Sequence, residues 1–249
     1  MESIRIICSK CGYEQKENAN FCPKCGAYLK EEIPGTQANY LALIIVYFII
    51  RAIFAGLYTF TELFDNTLES LIVVEVIDII LALLFASFNI RGLLPLYKTG
   101  ILRLKTALLL IALSLAFALA IYHLVSLINQ WFFEVDYSYV LILKQYDVPV
   151  YIVLVFTALL APVFEELACR GFLFNYLLRL TTAKNTIVIT GFLFAIIHIS
   201  FFSMLWIFPF GIFLGYLRNK YNTLWYPMLI HFVHNTVVTI LEYYEISFI

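Results

Sequence analysis

Residues 151–174 read YIVLVFTALLAPVFEELACRGFLF, an apolar stretch that is interrupted only near its end by Glu165, Glu166 and Arg170. A helix that crosses a bilayer needs about 20 predominantly apolar residues, and this stretch is long enough. Ionisable side chains inside such a helix cost a few kcal/mol each, so membrane proteins keep them where they serve a purpose. The stretch therefore predicts a membrane-spanning helix that carries functional groups.

The composition of the whole chain agrees with a membrane protein. Of its 249 residues, 63% are hydrophobic and only 13% are charged, far fewer charges than soluble domains carry. The mean hydropathy is +0.90. The net charge of −1 predicts no electrostatic attraction to nucleic acid, so we expect no nucleic-acid partner.

Hydropathy predicts an all-α polytopic membrane helix bundle with about seven transmembrane helices. The predicted spans are 40–60, 71–90, 106–128, 148–174, 186–200, 202–217 and 224–244. The fifth and sixth spans are short and nearly adjacent, so they form either a tight hairpin or a partly re-entrant segment.

The charges between the spans predict an orientation. Lys and Arg predominate after the second, fourth and sixth spans, the last group being Arg218 and Lys220. The N-terminal segment also holds basic residues, at Arg5, Lys10, Lys16, Lys24 and Lys30. Asp and Glu predominate after the first and third spans and in the C-terminal tail. Because cytoplasmic loops carry the excess of Lys and Arg, we expect a multi-pass protein of the cell membrane, surrounded by membrane lipid. Its N-terminus would lie in the cytoplasm and its C-terminus outside.

Two Cys-x-x-Cys pairs stand near the N-terminus, Cys8 with Cys11 and Cys22 with Cys25, and each pair is followed directly by glycine. Four thiolates suit a tetrahedral structural Zn²⁺, and the glycines let backbone amides turn toward the sulfur atoms. Two disulfides are the alternative, which a cytosolic location disfavours because cytosolic thiols stay reduced. The pattern predicts a zinc ribbon in which the metal supplies most of the folding energy.

The chain thus divides into a zinc ribbon over 1–30, a linker over 31–39 and a transmembrane domain over 40–249, whose motif-bearing core is 148–244. A zinc ion with four sulfur ligands has no open position for catalysis. The ribbon is therefore expected to be structural or to recognise a protein partner.

The spacing of the charged residues in the fourth span predicts on which face of the helix each side chain lies. Glu166 and Arg170 are four residues apart, so they share a helix face in the order that favours an ion pair. Glu165 points about 100° away and is left for another partner. The alternative is that both glutamates only neutralise Arg170 and fix the packing of the helix.

Polar residues also interrupt two later spans. His198 lies near the end of the fifth span, and His231 and Asn235 lie one turn apart on the seventh. Counted from the predicted cytoplasmic ends, Glu165, His198 and His231 lie at similar depths, about 14–18 Å. Each of them alone is explained as well by a packed, hydrogen-bonded polar side chain. The common depth favours a site.

Three complete motifs stand in this order: Glu165-Glu166-Leu-Ala-Cys-Arg170, Phe194-Ala-Ile-Ile-His198 and His231-Phe-Val-His-Asn235. Together they resemble the CAAX prenyl protease and bacteriocin-processing (CPBP) family of intramembrane endopeptidases, also called Abi. The resemblance covers roughly residues 150–240. The first three helices are too generic to test it, and the ribbon lies outside it.

The resemblance implies hydrolysis of a peptide bond near the cytoplasmic face, in a membrane-associated or lipidated peptide substrate. It implies that Glu165 acts as general base and that His198 helps to hold and polarise the attacking water. His231 and Asn235 would stabilise the tetrahedral oxyanion.

The remaining motif residues, Glu166 and Arg170, would position the catalytic helix. His234 is not a motif position, and we expect it to be a packing residue.

Whether a catalytic metal takes part is a separate question. One glutamate, two histidines and an asparagine could hold a catalytic Zn²⁺, since such sites use three protein ligands and a water. The H-E-x-x-H spacing of soluble zinc proteases is absent from the sequence. The favoured hypothesis is hydrolysis without a catalytic metal, with zinc confined to the ribbon.

Two other functions fit the sequence less well. A non-enzymatic membrane scaffold or bacteriocin-immunity protein would keep the same fold and bind a partner through the ribbon. Ion- or proton-coupled transport would also use intramembrane glutamate and histidine. Transport predicts internal repeats, and the sequences of the first and last helices show none.

Overall fold

The computed structural model describes residues 5–8, 12–16, 22, 36–60, 67–99, 102–132, 139–198 and 203–246. Near the N-terminus, strands β1 (Arg5–Ile7) and β2 (Glu14–Lys16) pair antiparallel. The chain between them passes through Gly12, whose φ of +69° lies in the left-handed region that glycine adopts without strain. A two-stranded hairpin alone is marginally stable in water, so this unit needs another source of stability.

The other described elements are helices and one 3₁₀ turn at Leu94–Tyr97. The helices are α1 (Thr36–Phe60), α2 (Leu68–Ser87), α3 (Ile90–Leu93), α4 (Leu104–Phe132), α5 (Tyr139–Gln145), α6 (Val150–Leu180), α7 (Ala183–Ile196), α8 (Met204–Tyr221) and α9 (Trp225–Tyr243). This architecture confirms the predicted helix bundle preceded by a small N-terminal ribbon.

Three helices in the described part of the chain are long and apolar enough to cross a membrane: Leu68–Ser87, Leu104–Ile128 and Val150–Leu180. Shorter apolar stretches cover Ala38–Phe54 of α1 and the whole of α7. These helices identify a membrane protein. The count of seven spans and the orientation remain predictions.

Many apolar side chains on the outer helices face away from the protein. Ile49 on α1, Ile80 on α2 and Leu108 on α4 are each more than half exposed, at 53%, 55% and 57%. In water such a surface would favour aggregation, whereas lipid tails are as apolar as these side chains. The outer surface of the bundle is therefore suited to contact lipid.

Helix α6 is the central element, and it departs twice from α-helical geometry. It is π-helical over Val155–Leu160 and again over Leu167–Leu173, with α-helix before, between and after. Pro162 follows the first π segment, and a proline cannot donate the hydrogen bond that a regular helix requires at that position. Wider turns of this kind commonly mark functional sites. Every residue of the second π segment is buried.

Helices α7 and α8 approach each other closely at two glycines. A Cβ atom added to Gly191 would lie 2.9 Å from the backbone nitrogen of Ile212. One added to Gly211 would lie 3.0 Å from the Cα of Gly191. Small residues allow the two backbones to approach closely, and the resulting van der Waals contact stabilises the packing of helices in lipid. The contact places the backbone of Gly211 within reach of α6.

The fifth and sixth predicted spans, 186–200 and 202–217, begin and end elsewhere in the structure. Helix α7 ends at Ile196, so the prediction that His198 lies inside the span is wrong: it lies in the turn that follows. The His198 imidazole caps the helix, because its Nδ1 lies 2.7 Å from the carbonyl oxygen of Phe194. Side chains that bond the last carbonyls of a helix favour its termination.

Candidate active site

The glutamate pair lies on α6 directly before the second π segment. Glu166 and Arg170 have 0% side-chain exposure, and Arg170 Nη1 donates to Glu166 Oε1 over 2.9 Å. Arg170 Nη2 donates to the carbonyl oxygen of Gly211 over 2.8 Å, which ties α6 to α8. The guanidinium also lies over the ring of Phe194, 4.4 Å from its centroid. The two charges thus neutralise each other inside the bundle.

His231 on α9 lies between the two glutamates. Its Nδ1 is 3.0 Å from Glu166 Oε1, and its Nε2 is 3.8 Å from Glu165 Oε2. A hydrogen bond from Nδ1–H to the carboxylate fixes the orientation of the ring and directs Nε2 toward Glu165. Glu165 is 27% exposed, so it is the accessible carboxylate of the pair.

His198 and His231 both pack against the ring of Phe194. The Phe194 ring centroid is 4.9 Å from that of His198 and 5.6 Å from that of His231, both in edge-on arrangements. His198 is close enough to Glu165 and His231 to interact with both electrostatically. Its side chain is exposed, and within the described ranges it forms no ion pair with Glu165. The structure therefore places His198 at the edge of the glutamate–histidine cluster.

Asn235 lies one turn beyond His231 on α9. Its Nδ2 donates to the carbonyl oxygen of Thr157 over 2.8 Å, within the first π segment of α6. Nearby, the hydroxyls of Thr157 and Thr239 are 2.8 Å apart. One N–H of the amide is thus committed to the backbone, and the other is left for a ligand. His234 instead packs against the rings of Phe117 and Phe210, with centroids 5.5 and 4.7 Å away.

Arg218 is a buried residue that the motifs do not include. It contributes to the positive loop charge that predicts the orientation, yet it is only 2% exposed. Its Nε donates to the carbonyl oxygen of Arg170 over 3.0 Å, and its Nη2 donates to Asn175 Oδ1 over 2.8 Å. No carboxylate pairs with it in the described part of the chain. Arg218 holds the second π segment from the side of α8.

A second group of charged residues lies on the first two spans. Arg51 on α1 forms an ion pair with Asp78 on α2, and Glu75 stands one turn before Asp78. These residues line a cavity that Glu165 also lines. The sequence contained a signal for Arg51, Glu75 and Asp78, because ionisable residues inside apolar helices commonly have a function. Glu75 and Asp78 are also spaced to share a helix face.

The structure describes two of the four ribbon cysteines, Cys8 and Cys22, and both are buried. The amide of Gly12 donates to the carbonyl oxygen of Cys8 over 2.8 Å, a tight turn of the kind that folds a backbone around a metal-bound sulfur. Cys11 and Cys25 lie outside the described residues. Among the described residues, no three His, Cys, Asp or Glu side chains form a metal-binding group. The burial and the turn fit a thiolate-bound metal.

Comparison with models of protein families gives two matches. Residues 147–237 match the family described as type II CAAX prenyl endopeptidase Rce1-like, and residues 7–29 match the zinc-ribbon domain. No curated protein and no solved structure matches the chain. The first match includes all three motifs, so the resemblance predicted from them is confirmed for this segment. The second match confirms the predicted ribbon.

Proposed function

We propose that the chain is an intramembrane endopeptidase of the CAAX-protease type. Its substrate would be a membrane-associated or lipidated peptide, cleaved near the cytoplasmic face. The observation that supports this most strongly is His231 lying between Glu165 and Glu166, within the segment that matches the family. An accessible carboxylate beside an imidazole and a neutralised ion pair is an arrangement suited to general-base chemistry.

Glu165 is the proposed general base, because Glu166 is committed to Arg170 and Glu165 is not. Glu165 removes a proton from water as the water oxygen bonds to the carbonyl carbon of the substrate. The resulting tetrahedral oxyanion collapses, the proton passes to the amide nitrogen, and the C–N bond breaks. The products are a new carboxyl terminus and a free amine. His198 would hold and polarise the water from the edge of the cluster.

His231 and Asn235 are the proposed donors to the oxyanion, each worth about 2.7–4 kcal/mol in comparable sites. His231 would donate through Nε2, since its Nδ1 is directed to Glu166. Asn235 would donate through the N–H that is not bonded to Thr157. Glu166 and Arg170 act by holding His231 and α6 in place.

The ribbon is proposed to bind one structural Zn²⁺ through Cys8, Cys11, Cys22 and Cys25. This zinc would supply the stability that the short hairpin lacks. The proposed domains are the ribbon over 1–30, the linker over 31–39 and the protease domain over 40–249. The N-terminus would lie in the cytoplasm and the C-terminus outside, which puts the ribbon on the side where the substrate is cleaved.

Replacement of Glu165 by Gln tests the proposed function, because it removes the base and preserves the size of the side chain. Peptides recovered from membranes that contain the native chain are compared with those from membranes that contain the variant at equal expression. We expect one or more cleaved peptides to disappear with the variant. Unchanged cleavage by the variant would rule out Glu165 as the base.

Hydrolysis without a catalytic metal needs its own test, because chelators would also remove zinc from the ribbon. A chain that begins after Lys30 lacks all four ribbon cysteines. We expect its activity to survive chelation. Loss of activity that Zn²⁺ restores would show that the reaction uses a metal.

A further inference from the structure

A small cavity lies between α1, α2 and α6, outside the three motifs. Its volume is about 30 Å³. Its polar lining comes from three helices: Tyr47, Arg51, Glu75, Asp78, Glu165 and Cys169. Glu165, the base of the proposed reaction, therefore lines the same cavity as residues that have no role in the proposed mechanism.

Two of these polar groups have no hydrogen-bond or ion-pair partner among the residues that the structure describes. Arg51 and Asp78 satisfy each other through their ion pair. Glu75 makes no hydrogen bond or ion pair with any residue that the structure describes. Tyr47 is only 3% exposed, and its hydroxyl likewise forms no hydrogen bond within the described ranges. Tyr47 lines the cavity, so its hydroxyl can bond a water there.

The size and the lining of the cavity fit water. A buried water needs about 10–15 Å³ of accessible space and two to four polar partners, so a cavity of about 30 Å³ has room for about two.

We propose that this cavity is a water site in which Tyr47 and Glu75 bind the hydrolytic water that reaches Glu165. The supply role rests on the proposed function, whereas the binding of water does not. Glu75 is then a positioning residue that acts through the bound water. The bundle thereby keeps water beside the proposed base.

Radiolytic hydroxyl labelling of the full chain in nanodiscs tests the water site without any activity measurement. X-ray pulses generate hydroxyl radicals from bound water, and these radicals modify the side chains beside it. Tyr226 is a matched control, because it is 1% exposed and its hydroxyl accepts a hydrogen bond from the Arg103 amide over 2.8 Å. We expect Tyr47 to be modified about tenfold faster than Tyr226, since Tyr47 lines a cavity of water size and the Tyr226 hydroxyl is bonded to the protein. Equal, slow modification of both tyrosines would overturn the proposal.

Two variants then test the role of the water in the reaction. Glu75→Gln keeps a polar partner for water, whereas Glu75→Leu replaces it with an apolar group. We expect Glu75→Leu to lower both Tyr47 labelling and kcat by about tenfold with little change in KM, and Glu75→Gln to retain most of both. Normal kcat in Glu75→Leu with Tyr47 labelling lost would overturn the supply role.

If Glu75→Leu fails to fold, the Tyr47 to Tyr226 ratio in the native chain still decides the water site. The two proposals also fail separately. Cleavage that persists in Glu165→Gln, with Tyr47 still labelled, would remove the proposed base and keep the water site. Cleavage that depends on Glu165, with Tyr47 protected from labelling, would keep the proposed base and remove the water site.

Discussion

Replacement of Glu166 by Gln tests the buried ion pair at the centre of the site. The variant keeps the shape of the side chain but leaves the charge of Arg170 buried, at 0% exposure, without its carboxylate. The hydrogen bond from Arg170 to the Gly211 carbonyl remains, yet a carbonyl carries no charge to balance the guanidinium. Removing one partner of a buried pair costs about 3–5 kcal/mol, and we expect the free energy of unfolding to fall by that amount.

The measurement is reversible unfolding in mixed micelles, followed by tryptophan fluorescence. Glu165→Gln is the matched control, because Glu165 is 27% exposed and lies 3.8 Å from His231 without an ion pair to Arg170. We expect that control to change the free energy of unfolding by less than about 1 kcal/mol. The double variant Glu166→Leu, Arg170→Met removes both charges but leaves His231 Nδ1 and the Gly211 carbonyl unpaired, so it should recover part of the loss. Native stability in Glu166→Gln, or no recovery in the double variant, would refute the reasoning.

Three further predictions concern helix packing, the oxyanion and zinc. Gly191→Ala places a Cβ 2.9 Å from a backbone nitrogen of α8, so it should destabilise the bundle by about 1–3 kcal/mol. Gly56→Ala is the control, because a Cβ there has nothing within 4 Å and should not destabilise the bundle. Unfolding of the two variants in micelles distinguishes them. Asn235→Ala should lower kcat by about 10²–10³ and stability by only about 1 kcal/mol; a kcat that falls only with the folded fraction would contradict this. Cys22→Ser should lose the bound zinc seen by elemental mass spectrometry and Cys169→Ser should keep it; zinc retained in the first variant would argue against the ribbon site.

Hydropathy predicted most of the helix bundle because lipid imposes a simple rule on spanning segments. The last span was expected over 224–244, and α9 covers Trp225–Tyr243. The two π segments of α6 could not be predicted, because the choice between i→i+4 and i→i+5 bonds depends on the groups that surround the helix. Pro162 after the first segment and Gly171 within the second were local signs of an irregular helix. The end of α7 was misplaced, since His198 caps the helix instead of continuing it.

The site was predictable where it depends on spacing along one helix. Residues four apart on a helix share a face, so the pairing of Glu166 with Arg170 follows from the sequence. The position of His231 between the two glutamates does not, because it depends on how α9 packs against α6. Arg218 was taken for a loop charge because it follows the predicted end of its span at residue 217. Its burial and its hydrogen bonds to the Arg170 carbonyl and to Asn175 show its place in the core.

The charges on the first two spans were overlooked for a different reason. Glu75 and Asp78 interrupt an apolar helix in the same manner as Glu165, so the rule that identified one applies to the others. Glu75 and Asp78 belong to none of the three motifs, so the prediction of the site was limited to the helices that carry a motif. The cavity that joins them to Glu165 depends on the packing of three helices, which spacing alone does not determine.

Cleavage in water enriched in oxygen-18 tests the central claim most directly, that Glu165 activates a water for attack on a peptide bond. The native chain and Glu165→Gln, at equal amounts in nanodiscs, are incubated with the peptide that the membrane comparison identifies. We expect the native chain to place one oxygen-18 atom in the new carboxyl terminus and the variant to form no product. Labelled product formed by Glu165→Gln at the native rate would contradict the account.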